Sequence, residues 1–266
     1  MYLICMKGYY NMDLTSPRTI RNIQEQFGFT FKKGLGQNFL TARNILEEIV
    51  DAAEIESGVI EVGPGFGVLT SELAQNSDKV VTIEIDERLI EVLDYTLAEY
   101  DNVKIINEDI LKLDLKKVID DEFNGEKVSI AANLPYYITT PIITKLLEEK
   151  LPIKNIVVMV QKEVAERMSA KPSTKDYGAI TVLCQYYTEP SIVANVPASL
   201  FVPPPKVDSA VLKLKVLDKP SVEVKDEGVF FRVVKAAFSQ RRKTLLNCLS
   251  ANFPIPKDEI STLLES

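Results

Sequence analysis

The chain has 266 residues, 46% of them hydrophobic and 26% charged, which favours one large domain with a smaller one beside it and argues against extended disorder. It contains no histidine, which removes His-based triads, His-ligated zinc hydrolysis and histidine-dependent zinc deaminases; Cys5, Cys184 and Cys248 show neither metal nor disulfide spacing. The net charge of −7 is unevenly spread: residues 1–43 carry six basic and two acidic side chains, 44–184 fourteen and twenty-seven, and 185–266 eleven and nine. A chain that is basic at both ends keeps open the polyanionic partner that its net charge alone would argue against.

In chain order, the residues before Met12 read as an upstream extension of no functional weight, and 1–31 as an N-terminal extension or basic arm. The opening "MYLICMKGYY" is too short and interrupted for a signal peptide, and no apolar run approaches the ~18–20 residues of a spanning helix, so a cytoplasmic protein is expected. "TARNILEEIVDAAEI" has apolar residues at helical spacing. From Gly58 to about Gln161 the β-rich runs "VIEV", "VVTIEI", "VKIINEDI", "VSIAANL" and "NIVVMVQ" alternate with helical patterns such as Val68 to Gln75 and Arg88 to Tyr100. That alternation predicts an α/β fold, a doubly wound parallel sheet with crossover helices. "YGAITVLCQYYTEPSIVANVP", "FVPPPKVDS" and "AVLKLKV" predict further elements on the same sheet. From about Lys219 the strand signal disappears; 229–249 and "KDEISTLLES" are helical, giving a small helical domain over 219–266 that the end of the chain cuts short.

"VIEVGPGFGVLT" reads as strand, glycine turn and helix, with Gly63, Gly65 and Gly67 letting backbone N–H groups approach a ligand closely. The spacing is not G-x-G-x-x-G, and Glu61 just before the loop would repel a phosphate. Glu84 ends the second strand, where a carboxylate can accept from both hydroxyls of a ribose, and Asp109 ends the third, where it can accept from an adenine amino group. A nucleoside without phosphates fits best.

"NLPY" follows the fourth strand on the same sheet edge. An aromatic amine is a poor nucleophile because its lone pair is delocalised into the ring. The amide oxygen of Asn133 and the backbone carbonyl of Leu134 can accept its two N–H hydrogens and favour a pyramidal nitrogen. Pro135 fixes the backbone and adds no competing N–H, while Tyr136 can stack on the base. No strong base is needed, since the nitrogen becomes acidic only after methylation.

These residues resemble the KsgA/RsmA ribosomal RNA adenine N6-dimethyltransferases, relatives of the Erm methylases. The resemblance runs from about Lys32 to Asn247 through "KKGLGQNFL", "EVGPGFG", "NLPYY", "FVPPPKVDSAV" and "AFSQRRKTLLN", in the family's order. It implies a Rossmann-like class I methyltransferase domain over 32–218 and an RNA-contacting helical domain beyond it. S-adenosylmethionine would be the donor, bound by Gln37, Asn38, Leu40, Gly63, Gly65, Glu84, Ile85, Asp109, Ile110 and Asn133. It further implies Tyr136 and Phe201 on either face of a flipped adenine, and RNA phosphates at Lys32, Lys33, Arg241, Arg242 and Lys243. The implied reaction is dimethylation of two adjacent adenines near the 3′ end of small-subunit ribosomal RNA, by a monomer, without metal. An Erm-type enzyme acting on large-subunit RNA is the alternative.

Overall fold

A computed structural model describes residues 12–29, 38–240 and 242–265. In chain order its strands are β1 (Phe39–Leu40), β2 (Gly58–Val62), β3 (Lys79–Glu84), β4 (Val103–Asn107), β5 (Val128–Asn133), β6 (Ile153–Gln161), β7 (Thr188–Val196), β8 (Phe201–Val202) and β9 (Ser209–Val216). The helices are α1 (Pro17–Gln26), α2 (Arg43–Ala53), α3 (Val68–Gln75), α4 (Ile90–Thr96), α5 (Leu115–Phe123), α6 (Thr139–Glu148), α7 (Lys162–Met168), α8 (Ala179–Tyr187), α9 (Glu227–Ala237), α10 (Leu245–Asn252) and α11 (Lys257–Glu265).

Seven strands form one sheet in the order β4-β3-β2-β5-β6-β9-β7. All of β2 and nearly all of β5 and β6 are buried, as expected of apolar runs covered on both faces, whereas α2 buries one stripe, Ile45, Leu46, Ile49, Val50 and Ala53. The two faces carry separate cores. One gathers Ile60, Ile130 and Val158 with Ile119 of α5 and Leu146 of α6, the other Val59, Ala131 and Val157 with Ile49 of α2 and Leu73 of α3.

The chain runs outward from β2 through β3 to β4, then returns to β5 on the other side of β2, so the order reverses between β2 and β5. At such a reversal the loops leaving the two carboxyl ends splay apart and open a crevice. The glycine turn leaves β2 and "NLPY" leaves β5.

The sheet departs from an all-parallel expectation in one respect. β2 to β6 pair in parallel, but β9 runs antiparallel to both β6 and β7. The connection from β7 to β9 holds only a 3₁₀ turn and the short β8, too little chain for a helical crossover. The helix expected over 88–100 is shorter: a 3₁₀ turn at Glu87–Leu89, capped by Asp86, leads into α4, which ends at Thr96.

Beyond residue 219 the helical stretch read over 229–249 is two helices. α9 ends at Ala237, and Thr244 restarts the chain as α10 by accepting a hydrogen bond from the Asn247 amide at 3.4 Å. Ala236, Leu249 and Ile260 of α9, α10 and α11 form a small cluster of their own.

Candidate active site

The reversal point opens into a cleft of about 1130 Å³, open mouth included, large enough for a nucleoside-sized ligand with an aromatic base beside it. Its wall contains Asn38, Leu40, Gly63, Gly65, Glu84, Ile85, Asp109, Ile110, Asn133, Leu134, Pro135 and Tyr136, so most of the residues picked out from the sequence do meet in space.

The glycine turn is built around its positive φ values. Gly63 has φ +71° and a Cβ there would meet nothing within 4 Å, so its open side is space for a ligand. Gly65 has φ +60°, and a Cβ would lie 2.6 Å from Cε1 of Phe39, whose ring stacks on Phe66 at 4.3 Å. The turn thus rests on an aromatic backing, which Phe29 extends at 5.2 Å from Phe66.

Glu84 is 5% exposed; its Oε1 accepts from the Asp86 amide at 2.8 Å, with the Gly65 and Ile85 amides nearby. Burial outweighs these bonds and pushes its carboxyl up to about 7. Glu61 is 1% exposed and receives the Thr70 hydroxyl at 2.5 Å, yet burial pushes it up to about 8. It is therefore mostly protonated at neutral pH, which corrects the idea that its charge repels phosphate. The case against a pyrophosphate ligand rests on the loop spacing instead. Asp109 Oδ1 accepts from the Leu111 amide at 3.0 Å, and Oδ2 lies 3.8 Å from Lys112 Nζ, so it caps its turn while also facing the cleft.

On the opposite wall, Asn133 Nδ2 donates to the Asn38 carbonyl at 2.9 Å, which fixes the amide and turns Oδ1 the other way. The Leu134 amide donates to Met159 at 3.1 Å, anchoring the strand end, and no donor reaches the Leu134 carbonyl among the described residues. Two acceptors, on consecutive residues at the end of β5, are thus left for a ligand. The Tyr136 hydroxyl shares a 2.7 Å hydrogen bond with Ser209 of β9, tethering the motif to the reversed strand.

Phe201 sits elsewhere. It is 2% exposed, pairs with Leu40 through the β1–β8 ribbon and does not line the cleft. Gln37, Lys32, Lys33 and Arg241 lie outside the described residues; Arg242 and Lys243 are exposed in the turn between α9 and α10. Met159 and Tyr137 also line the cleft and were not singled out from the sequence. Met159 reads as ordinary strand interior, whereas Tyr137 carried a signal, a second aromatic directly after "NLPY".

The cleft can hold S-adenosylmethionine: Glu84 for the ribose, Ile85 and Ile110 for the flat base, Asp109 for its amino group, and the open side of Gly63 for the amino-acid end. A Rossmann-like sheet with this crevice and these strand-end carboxylates defines a class I S-adenosylmethionine-dependent methyltransferase. The profile of the ribosomal RNA adenine dimethylase family matches residues 28–263, and the chain belongs to that family.

Ribosomal RNA small subunit methyltransferase A of Bacillus mycoides (strain KBAB4) is 54% identical over 258 residues, 95% of this chain and 88% of that protein. Among solved structures, a dimethyladenosine transferase from Plasmodium falciparum superposes with TM-score 0.66 at 31% identity, over 85% of this chain and 88% of the other. The 23S rRNA methyltransferase ErmE does so with TM-score 0.65 at 29% identity, over the same shares. The KsgA/RsmA resemblance read from the motifs is correct.

Proposed function

We propose that the chain transfers methyl groups from S-adenosylmethionine to N6 of two adjacent adenines near the 3′ end of small-subunit ribosomal RNA. The observation that carries the chemistry is the pair of acceptors at the end of β5, the pinned Asn133 amide and the Leu134 carbonyl, across the cleft from the Glu84 carboxylate.

Bound S-adenosylmethionine supplies an electrophilic methyl group on sulfur. Asn133 Oδ1 and the Leu134 carbonyl take the two N6 hydrogens of the target, so that the lone pair leaves the ring plane and faces the methyl. The donor would supply the methyl and keep the S–C bonding pair, leaving as the neutral thioether S-adenosylhomocysteine, and the methylated nitrogen would lose its proton to water. Tyr136 lies against the base, its orientation held by Ser209. A monomethylated adenine still offers one N–H to this acceptor pair, which suits a second transfer.

Residues 32–218 carry the chemistry. Residues 219–266 form an RNA-contacting unit whose separate small core and exposed Arg242 and Lys243 support that division. Among the described residues no helix is long and apolar enough to cross a membrane; a monomer working in the cytoplasm on assembling small subunits fits the reading. The Erm-type alternative is not favoured, because ErmE stands at 29% identity and the small-subunit enzyme at 54%.

Asn133→Ala should lower kcat about 100-fold or more on undermethylated small-subunit particles, while S-adenosylhomocysteine still binds in calorimetry. Mass spectrometry of the ribosomal RNA reads dimethyladenosine directly. Wild-type label entering only naked large-subunit RNA, or undiminished turnover by the variant, overturns the assignment.

A further inference from the structure

Tyr137 lines the cleft and is 58% exposed, although it follows Tyr136 directly. Every other described tyrosine has a partner: Tyr95 meets Phe27, Tyr100 bonds Gln75, Tyr136 bonds Ser209, Tyr177 meets Phe238, and Tyr186 and Tyr187 reach Glu227. Among the described residues Tyr137 has neither a hydrogen bond nor a ring neighbour. Its backbone is nevertheless held, because the Ile138 amide donates to the Pro135 carbonyl at 3.2 Å and α6 begins at Thr139.

A large ring held out in water on a rigid turn, at the lip of a cleft built for a flipped base, is preorganised for stacking at little entropic cost. Phe201, the other aromatic expected at the base, is buried and pairs with Leu40 in the β1–β8 ribbon. We infer that Tyr137 stacks on the base of the nucleotide adjoining the target adenine, so that the enzyme grips two consecutive RNA bases rather than one. The occupant is a nucleobase because the partner must be planar, must follow a flipped adenine along its strand, and meets an aromatic face with no charge of either sign at Tyr137 itself. The inference rests on the reading under Proposed function and deepens it: when one adenine of a neighbouring pair is in the cleft, the other is the base at the rim.

The test compares wild type with Tyr137→Phe, Tyr137→Leu and Tyr137→Ala on undermethylated small-subunit particles, with S-adenosylhomocysteine affinity and melting midpoint measured alongside. A second readout places 2-aminopurine one nucleotide from the target and follows its fluorescence. KM for the particle should rise roughly ten-fold in the Ala and Leu variants, with cofactor affinity and melting unchanged, while Phe stays near wild type. Quenching of 2-aminopurine should occur with wild type and Phe and disappear with Leu and Ala. Unchanged KM in the Ala variant, Leu serving as well as Phe, or a lowered melting midpoint accounting for the loss overturns the inference. Absence of methylation by the wild type on the same particles instead overturns the function on which it rests.

Discussion

As the proposed ribose acceptor, Glu84 would tie cofactor recognition to pH through a single buried carboxylate. Its folded value, about 7, lies above the usual 4.5, as does that of Glu61 at about 8, so both favour the folded state while protonated. Their stabilisation is complete below the ordinary carboxylate range and is lost as pH rises through about 7 and then 8. The chain has no histidine to titrate in that window. The melting midpoint of the ligand-free protein should therefore fall between about pH 5 and pH 8. A ribose diol donating two hydrogen bonds favours the ionised carboxylate, so S-adenosylhomocysteine affinity should climb as pH rises towards 7 and then level off. Calorimetry in buffers of different ionisation enthalpy should detect proton release on binding, and Glu84→Gln should abolish both. The positions of Glu84 and Asn133 were legible in the sequence, because each sits a fixed step past a β-rich run. The burial of Phe201 was not, since it depends on pairing with Leu40, 161 positions earlier.

Among the elements, the turn from β2 into α3 separates two uses of glycine. Gly63→Ala and Gly65→Ala each impose left-handed strain of about 1–2 kcal/mol, roughly 2–4 °C of melting midpoint per kcal/mol in a chain of this size. Only the second also drives a Cβ into Phe39 at 2.6 Å. Gly65→Ala should therefore lower the midpoint further, whereas Gly63→Ala should lose more cofactor affinity than stability. Scanning fluorimetry and calorimetry on the pair read the contrast. The glycine spacing announced this turn plainly. The antiparallel direction of β9 and the break between α9 and α10 were harder to see, because hydrophobic periodicity reports burial but carries neither strand direction nor the capping by Thr244.

On the scale of the whole molecule, Glu227 at the start of α9 joins the helical unit to α8 and to Lys150 in the turn between α6 and β6. It accepts from Tyr186 and Tyr187 of α8 at 3.2 Å each and pairs with Lys150 at 2.6 Å, above a cluster of Phe230 and Phe231 with the same tyrosines. The Lys150 ammonium holds its carboxyl below the ordinary value. Glu227→Gln should weaken this joint and raise KM for the particle while leaving S-adenosylhomocysteine affinity alone. Adding Lys150→Ala should bring little further loss, since the two substitutions remove one shared interaction. Parallel kinetics on the two single variants and the double variant check this. Neither the tyrosine pair nor Lys150 announced the joint in the sequence, because its members come from segments separated by 36 or more positions and meet only after the sheet has formed.

The placing of β9 between β6 and β7 also orders events during synthesis. β7 is made first, yet among the described residues its sheet partner is β9 alone, so it emerges as a strand with nowhere to dock. A nascent chain halted before residue 209 would hold the five parallel strands but neither β9 nor the Ser209 tether for Tyr136. On the proposed mechanism, catalytic competence thus arrives in a late step, when one returning segment both closes the sheet and tethers Tyr136.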